Sequence, residues 1–257
     1  MSVMINILKM DLYRFVTSKV AIILLLVFAL FQLFGIFMMN QYEDPMANGG
    51  IVLSAMNESQ FIQMILAQPP SWVMLYILVF AVYFYMSEYN AGFYKNYITM
   101  AKARAYSVIS KLVMQAIFTL AMFLTMIAVD LMGRGIFFGN TSIGDPGYFA
   151  KLLIGQFLLH WAFSVLILCI AMMTRSILAS VGIGAFLALN VIGMGLSALE
   201  SLVSSLDVAK YWLVNVIVTI VDFHNTGIFM QVLSVALVSL LLFAMIAIRY
   251  KIKEDLK

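Results

Sequence analysis

The chain has 257 residues, 64% of them hydrophobic and 11% charged, with a formal net charge of +3. This composition excludes an ordinary soluble domain and marks a polytopic, all-α membrane protein. The small basic excess is a signal of topology and gives no argument for nucleic-acid binding.

A helix needs roughly 20 apolar residues to cross about 30 Å of hydrocarbon. Stretches that qualify are Val20 to Met39, Ser71 to Met86, Ser107 to Met132, Phe149 to Met173, Ile177 to Leu199 and Ile228 to Ile248. They leave no room for a large soluble domain, so residues 1–257 read as a single transmembrane domain. Ahead of the first span, Ile5, Leu8, Leu12 and Phe15 recur at helical spacing while Asn6, Lys9, Tyr13 and Arg14 fall on other faces. That pattern predicts an interfacial helix over residues 4–18 lying among lipid headgroups. No cleavage site follows the first apolar run, which is expected to stay in the mature protein.

Basic residues are retained on the cytoplasmic side of short loops. With both termini inside, Lys9, Arg14, Lys19, Lys95, Lys102, Arg104, Lys111, Arg175, Arg249, Lys251, Lys253 and Lys257 are cytoplasmic, against Arg134, Lys151 and Lys210 outside. The outer loop from Asn40 to Pro70 carries Gly49-Gly50 and Pro69-Pro70 around a mixed segment, which predicts a short surface helix over 51–66. Residues 200–227 contain an apolar run, Tyr211 to Val221, too short to cross; it is expected to be re-entrant from the outer face. Ser180, Gly184 and Ala188, then Gly193, Ser197 and Ser201, repeat small residues every fourth position, a pattern that lets helix backbones approach closely.

The chemistry is mostly negative. There is no Gly-x-x-x-x-Gly-Lys-Ser/Thr phosphate loop, no His-Glu-x-x-His and no nucleophile elbow. No catalytic residue and no metal ligand set is assigned, and the chain by itself is not expected to be an enzyme. Cys169 is the sole cysteine, so no intrachain disulfide can form. His160, with Gln156 and Ser164 one turn either side, reads as a buried hydrogen-bonding histidine in span four. Asp130 and Arg134 are four apart near the outer end of span three, a spacing that allows a helical ion pair. A mixed face of Phe31, Gln32 and Phe34 in span one, with Phe80, Tyr83 and Phe84 in span two and Asn190 in span five, is a candidate path lining.

Between spans two and three lies the most polar stretch, Glu88 to Lys111. Its Glu88, Gly92, Lys95 and Asn96, followed by Arg104 and Lys111, resemble the acidic-x-x-x-Gly-x-x-Lys-Asn, Arg and Lys pattern of the membrane subunits of type 2 ATP-binding-cassette transporters. The resemblance covers essentially the whole chain. It implies that residues 88–106 form a cytoplasmic coupling helix, with Glu88, Gly92, Lys95, Asn96, Lys102 and Arg104 contacting the ATPase. It further implies a permease that pairs with a second membrane subunit, as a homo- or heterodimer, and with a separate cytoplasmic ATPase that holds the ATP and Mg; this chain itself needs no cofactor. Compact loops make it most similar to small permeases for bacteriocin immunity or for export of amphipathic peptides such as phenol-soluble modulins, in a bacterial plasma membrane. Two other classes stay open: a membrane-anchored assembly protein without a transport path, and an ion-coupled secondary transporter.

Overall fold

The computed structural model describes residues 2–42, 52–93, 101–203 and 207–253. Among them the secondary structure is helical: α1 (Ser2–Val16), α2 (Lys19–Gln41), α3 (Glu58–Leu66), α4 (Trp72–Asn90), α5 (Ala101–Phe137), α6 (Pro146–Thr174), α7 (Ile177–Ala188), α8 (Val191–Leu202), α9 (Leu213–Val218) and α10 (Thr226–Lys253). Six helical segments are long and apolar enough to cross a membrane: α2, α4, α5, α6, the α7–α8 pair and α10. The expected six spans are therefore present, and the protein is a multi-pass membrane protein by length and composition.

The helix starts follow from local chemistry. Asp145 accepts from the backbone of Gly147 and Tyr148 at 3.1 and 3.2 Å, with Pro146 in the first turn of α6. These contacts satisfy donors that the helix cannot satisfy itself. Ser18 and Ser176 cap α2 and α7 through the amides of Ala21 and Ala179. Asn57 and Gln60 exchange hydrogen bonds in a capping box that starts α3.

The interior is built around α4 and α6, the two spans most buried in the bundle, whereas α2 and α10 present most of their surface outward. Phe80 of α4 stacks on Phe118 of α5 with centroids 3.8 Å apart. Trp161 of α6 donates to the Leu112 carbonyl of α5 at 3.0 Å.

Alternating helix directions bring both described ends of the chain to one face, called here the near face. Arg14 of α1 meets Glu88 at the end of α4 and Lys111 near the start of α5. Arg104 of α5 donates to the Ile252 carbonyl at the end of α10, and Arg175, just past α6, lies over Tyr89. Lys9, Arg14, Lys19, Lys102, Arg104, Lys111, Arg175, Arg249, Lys251 and Lys253 fall on or toward the near face, against Arg134, Lys151 and Lys210 on the far one. Lys95 and Lys257 lie outside the described residues.

Two local expectations need correction. The segment between the first two spans is not a surface helix: α3 buries Glu58, Ser59, Phe61, Ile62, Gln63, Ile65 and Leu66. Phe61 and Ile65 close a small satellite core with Ile36 of α2. Breaker residues mark where a loop turns, but they carry no information about what packs over it. Span five is two helices, because Asn190 adopts a left-handed conformation at φ 56°. Asparagine tolerates that region better than most residues, and its amide donates to Asn215 Oδ1 at 2.9 Å. The two small-residue series also diverge. Ser180, Gly184 and Ala188 are buried within the chain, and a Cβ on Gly184 would come within 2.2 Å of Leu78 Cδ1. In the second series Gly193 is buried under Asn190, whereas Ser197 and Ser201 are not buried.

The Tyr211 to Val221 run forms no long helix. It holds the six residues of α9, about 9 Å of helix at 1.5 Å per residue. Lys210 O accepts from Gln231 of α10, and Val221 O accepts from Gln63 of α3 and Tyr148 of α6. Both ends of the run thus sit on the far face, while Leu213, Val214, Val216 and Ile217 are buried.

Candidate functional site

Two clusters of buried charge occupy opposite ends of α5. At the near face, Glu88 Oε2 accepts from Arg14 and lies 2.8 Å from Lys111 Nζ. Asp11 accepts from Arg14 at 2.9 Å and from Ser110 at 2.7 Å, and lies 3.7 Å from Lys111. Arg14 also reaches the Phe84 carbonyl and Ser87, and its guanidinium sits 4.9 Å from the Phe84 ring centroid. Asp11, Glu88 and Lys111 are at most 2% exposed. With two acids facing two bases the cluster is neutral, the arrangement that makes burial of charge tolerable. It ties α1, α4 and α5 together beside Glu88, in the last turn of α4.

This geometry gives Glu88 an inward role, with its carboxylate held by Arg14 and Lys111. Gly92 has φ 72°, in the left-handed region that favours glycine. Lys95 and Asn96 lie outside the described residues. Lys102 is exposed, and Arg104 is half-buried and engaged with α10. Residues 88–90 are the last turn of α4 and 101–106 the first of α5, so a separate coupling helix could occupy only part of the expected range.

On α1 the buried positions are Ile7 and Asp11, with Leu8 and Phe15 partly buried, while Ile5 and Leu12 remain exposed. Asp11 had no place in the apolar pattern read from the sequence. The available signal was Lys111, a cation four residues inside an apolar span that needs a buried partner, together with the three-residue spacing of Asp11 and Arg14.

At the far end of α5, Arg134 donates to Glu58 Oε2 at 2.6 Å and to the Met56 carbonyl. Asn140 donates to the carbonyls of Ser54 and Met56 at 2.9 and 3.0 Å. Asp130 Oδ1 accepts from Gln32 of α2 at 2.7 Å. Glu58, Asp130 and Arg134 are all 0% exposed. The expected Asp130–Arg134 pair is therefore replaced: four-residue spacing permits an ion pair, but the guanidinium turns to α3, whose burial the sequence did not reveal. Burial pushes the Glu58 carboxyl above its ordinary 4.5, and the hydrogen bond and charge of Arg134 only partly offset that.

The seven path residues do not converge on one surface. Phe31, Phe34 and Tyr83 are exposed, Phe80 and Phe84 are core, Gln32 serves Asp130, and Asn190 serves Asn215. His160 is fully buried, edge-on to Phe123 at 5.2 Å. Its Nδ1 is 2.8 Å from the Gln156 carbonyl, which can only accept, so Nδ1 carries the ring proton. Ser164 donates instead to the Trp161 carbonyl. Among the described residues no group of three or more His, Cys, Asp or Glu side chains could hold a metal ion.

No protein-family description matches the chain, and no curated protein matches it.

Proposed function

We propose that the chain is the permease subunit of an ATP-driven exporter. It pairs with a second permease subunit in a bacterial plasma membrane and couples, through the near-face loop between α4 and α5, to a separate cytoplasmic ATPase. The observation that supports this reading is the near-face cluster. Asp11, Arg14, Glu88 and Lys111 fasten α1, the end of α4 and the first turns of α5 together, so a push on the segment joining α4 to α5 is carried into three helices at once. The exposed Phe93 and Lys102 flank the loop and are available to a partner, and the basic side chains suit an acidic docking surface. The cargo is an amphipathic peptide or lipid-like molecule, and the α9 segment is an outer re-entrant element.

The test is co-expression with candidate phosphate-loop ATPases, followed by copurification and transport of labelled peptides from reconstituted vesicles. Gly92→Leu and Lys102→Glu are expected to lower ATPase association at least tenfold while expression and monodispersity stay at the wild-type level. Equal association for wild type and both variants would remove the proposal. Glu88→Ala is a poor docking probe, because it strands Arg14 and Lys111 without their buried acid.

The topology makes a separate expectation. Ten of the described basic residues lie toward the near face and three toward the far one, and the retention of basic residues inside supports a cytoplasmic near face. Cysteines introduced at positions 48 and 145 should react with an impermeant reagent from outside intact cells, and one at 255 only after lysis. The reverse pattern would invert the protein.

A further inference from the structure

Helix α10 carries polar side chains on a face that the rest of the chain leaves partly open. Gln231, Ser234, Val235, Val238 and Ser239 fall at positions i, i+3, i+4, i+7 and i+8, one stripe of a helix. With Tyr211 they line a cavity of about 430 Å³, and Val238, near its deeper end, is 65% exposed. Gln231 also lines a second cavity of about 350 Å³, together with Glu200, Asp207, Lys210 and Val232, and its amide donates to the Lys210 carbonyl at 3.3 Å. The two cavities therefore meet at Gln231 and form one groove. Each falls within the range of small-molecule sites, roughly 300 to 1,000 Å³. From Gln231 to Ser239 the stripe runs about 12 Å at 1.5 Å per residue, more than a third of a hydrocarbon layer of about 30 Å.

The mouth and the floor of the groove differ in chemistry. At the far face two carboxylates, Glu200 and Asp207, stand with one ammonium, Lys210, which pairs with Asp207 and lies 5.2 Å from the Tyr211 ring centroid. Glu200 is pinned there, since its Oε1 accepts from the Ala209 amide at 2.5 Å and from that of Val208. Tyrosine beside lysine at the edge of an apolar helix is the composition of a membrane–water interface. The mouth thus lies at headgroup level, and Val235 and Val238 lie at the level of acyl chains. An empty groove forfeits packing contacts, but an acyl chain gains no hydrophobic energy by leaving its neighbours to fill it. The head therefore selects the occupant. Both signs of charge, with one negative in excess, suit a head that carries an ammonium and a phosphate and disfavour a purely anionic one. We propose that this groove binds one bilayer lipid with a zwitterionic head, its ammonium at Glu200 and Asp207, its phosphate at Lys210 and one acyl chain along the stripe from Gln231 to Ser239. The lipid comes from the leaflet at the far face, and the site stands independently of the exporter reading.

The experiment places the full chain in nanodiscs of equal parts phosphatidylethanolamine, which is zwitterionic, and phosphatidylglycerol, which is anionic. Native mass spectrometry of the released protein then counts the lipids that stay bound. The expected wild-type result is one retained phosphatidylethanolamine per chain, in clear excess over phosphatidylglycerol. Val238→Trp fills the apolar end of the groove and should lower that retention about tenfold, with an unfolding midpoint at the wild-type value because the side chain faces outward. Asp207→Lys leaves one carboxylate against two ammoniums at the mouth and should reverse the preference toward phosphatidylglycerol, a change that loss of structure would not produce. Equal retention of the two lipids by the wild type overturns the proposal. So does an unchanged preference in Asp207→Lys, or undiminished retention in Val238→Trp. A wild-type mass of two chains with no retained lipid also overturns it and assigns the groove to a second copy of the chain.

Discussion

Arg134→Met is expected to cost about 3 to 5 kcal/mol of stability, the range for removing one partner of a buried ion pair. The side chain is 0% exposed, donates to Glu58 at 2.6 Å and to the Met56 carbonyl, and lies over the Phe61 ring at 5.4 Å. Methionine fills part of the volume but leaves the buried Glu58 carboxyl with no cation and the Met56 carbonyl with one donor fewer. The measurement is the unfolding midpoint of the purified variant in detergent, compared with Glu58→Gln and the double variant. Because Glu58→Gln removes one stranded acid, the double variant should be more stable than Arg134→Met alone. A pair of strictly additive losses would show that the two residues do not act on one another.

Gly184→Leu is expected to separate α7 from α4 and lower stability by about 1 to 3 kcal/mol, the usual range for overpacking a filled interior. Even the first added carbon would lie 2.2 Å from Leu78 Cδ1 and 3.0 Å from Ile167 Cδ1. Leu78 is 2% exposed and Ile167 0%, so neither has a free direction in which to retreat. Gly182→Leu is the matched control, because nothing lies within 4 Å of a Cβ there. Unfolding midpoints for the two variants should differ clearly. Equal midpoints would mean that α7 and α4 are not in close contact in the membrane.

What the sequence revealed was set by length and hydropathy. Six apolar runs became six membrane-length helical segments because a bilayer leaves few alternatives to helix once a run is long enough. The Ser180, Gly184 and Ala188 spacing pointed correctly to close packing, since the absence of a side chain on one helix face is itself a local property. Partners of buried charges were not legible. Asp130 and Arg134 satisfied the one-turn rule, yet Arg134 chose Glu58, 76 residues away in sequence. That choice depended on α3 being drawn under the bundle by Phe61, Ile62 and Ile65, a tertiary effect that no spacing encodes. The break at Asn190 was missed for a related reason: asparagine in an apolar run invites a search for a polar partner, and Asn215 is one, but the same residue also adopts the left-handed conformation that ends α7. The resemblance put Glu88 among the ATPase contacts, and its buried partners Arg14 and Lys111 were not legible because, at the edge of an apolar run, one turn of helix decides between solvent and interior.

α5 is one uninterrupted helix of 37 residues, about 55 Å at 1.5 Å per residue, against a hydrocarbon thickness of about 30 Å. It therefore projects beyond the apolar layer and is gripped near each end by side chains from other helices: Asp11 and Glu88 below, Gln32 and Glu58 above. A rod held in this way transmits torque. Rotation about its long axis, begun by prising Lys111 from its two acids, would turn Asp130 and Arg134 through the same angle on the opposite side of the bilayer, with no intermediate element to absorb it. Mechanically the two surfaces of the membrane share one shaft, and the strength of its bearings is set by a balanced pair of ion pairs at one end and by a single guanidinium at the other.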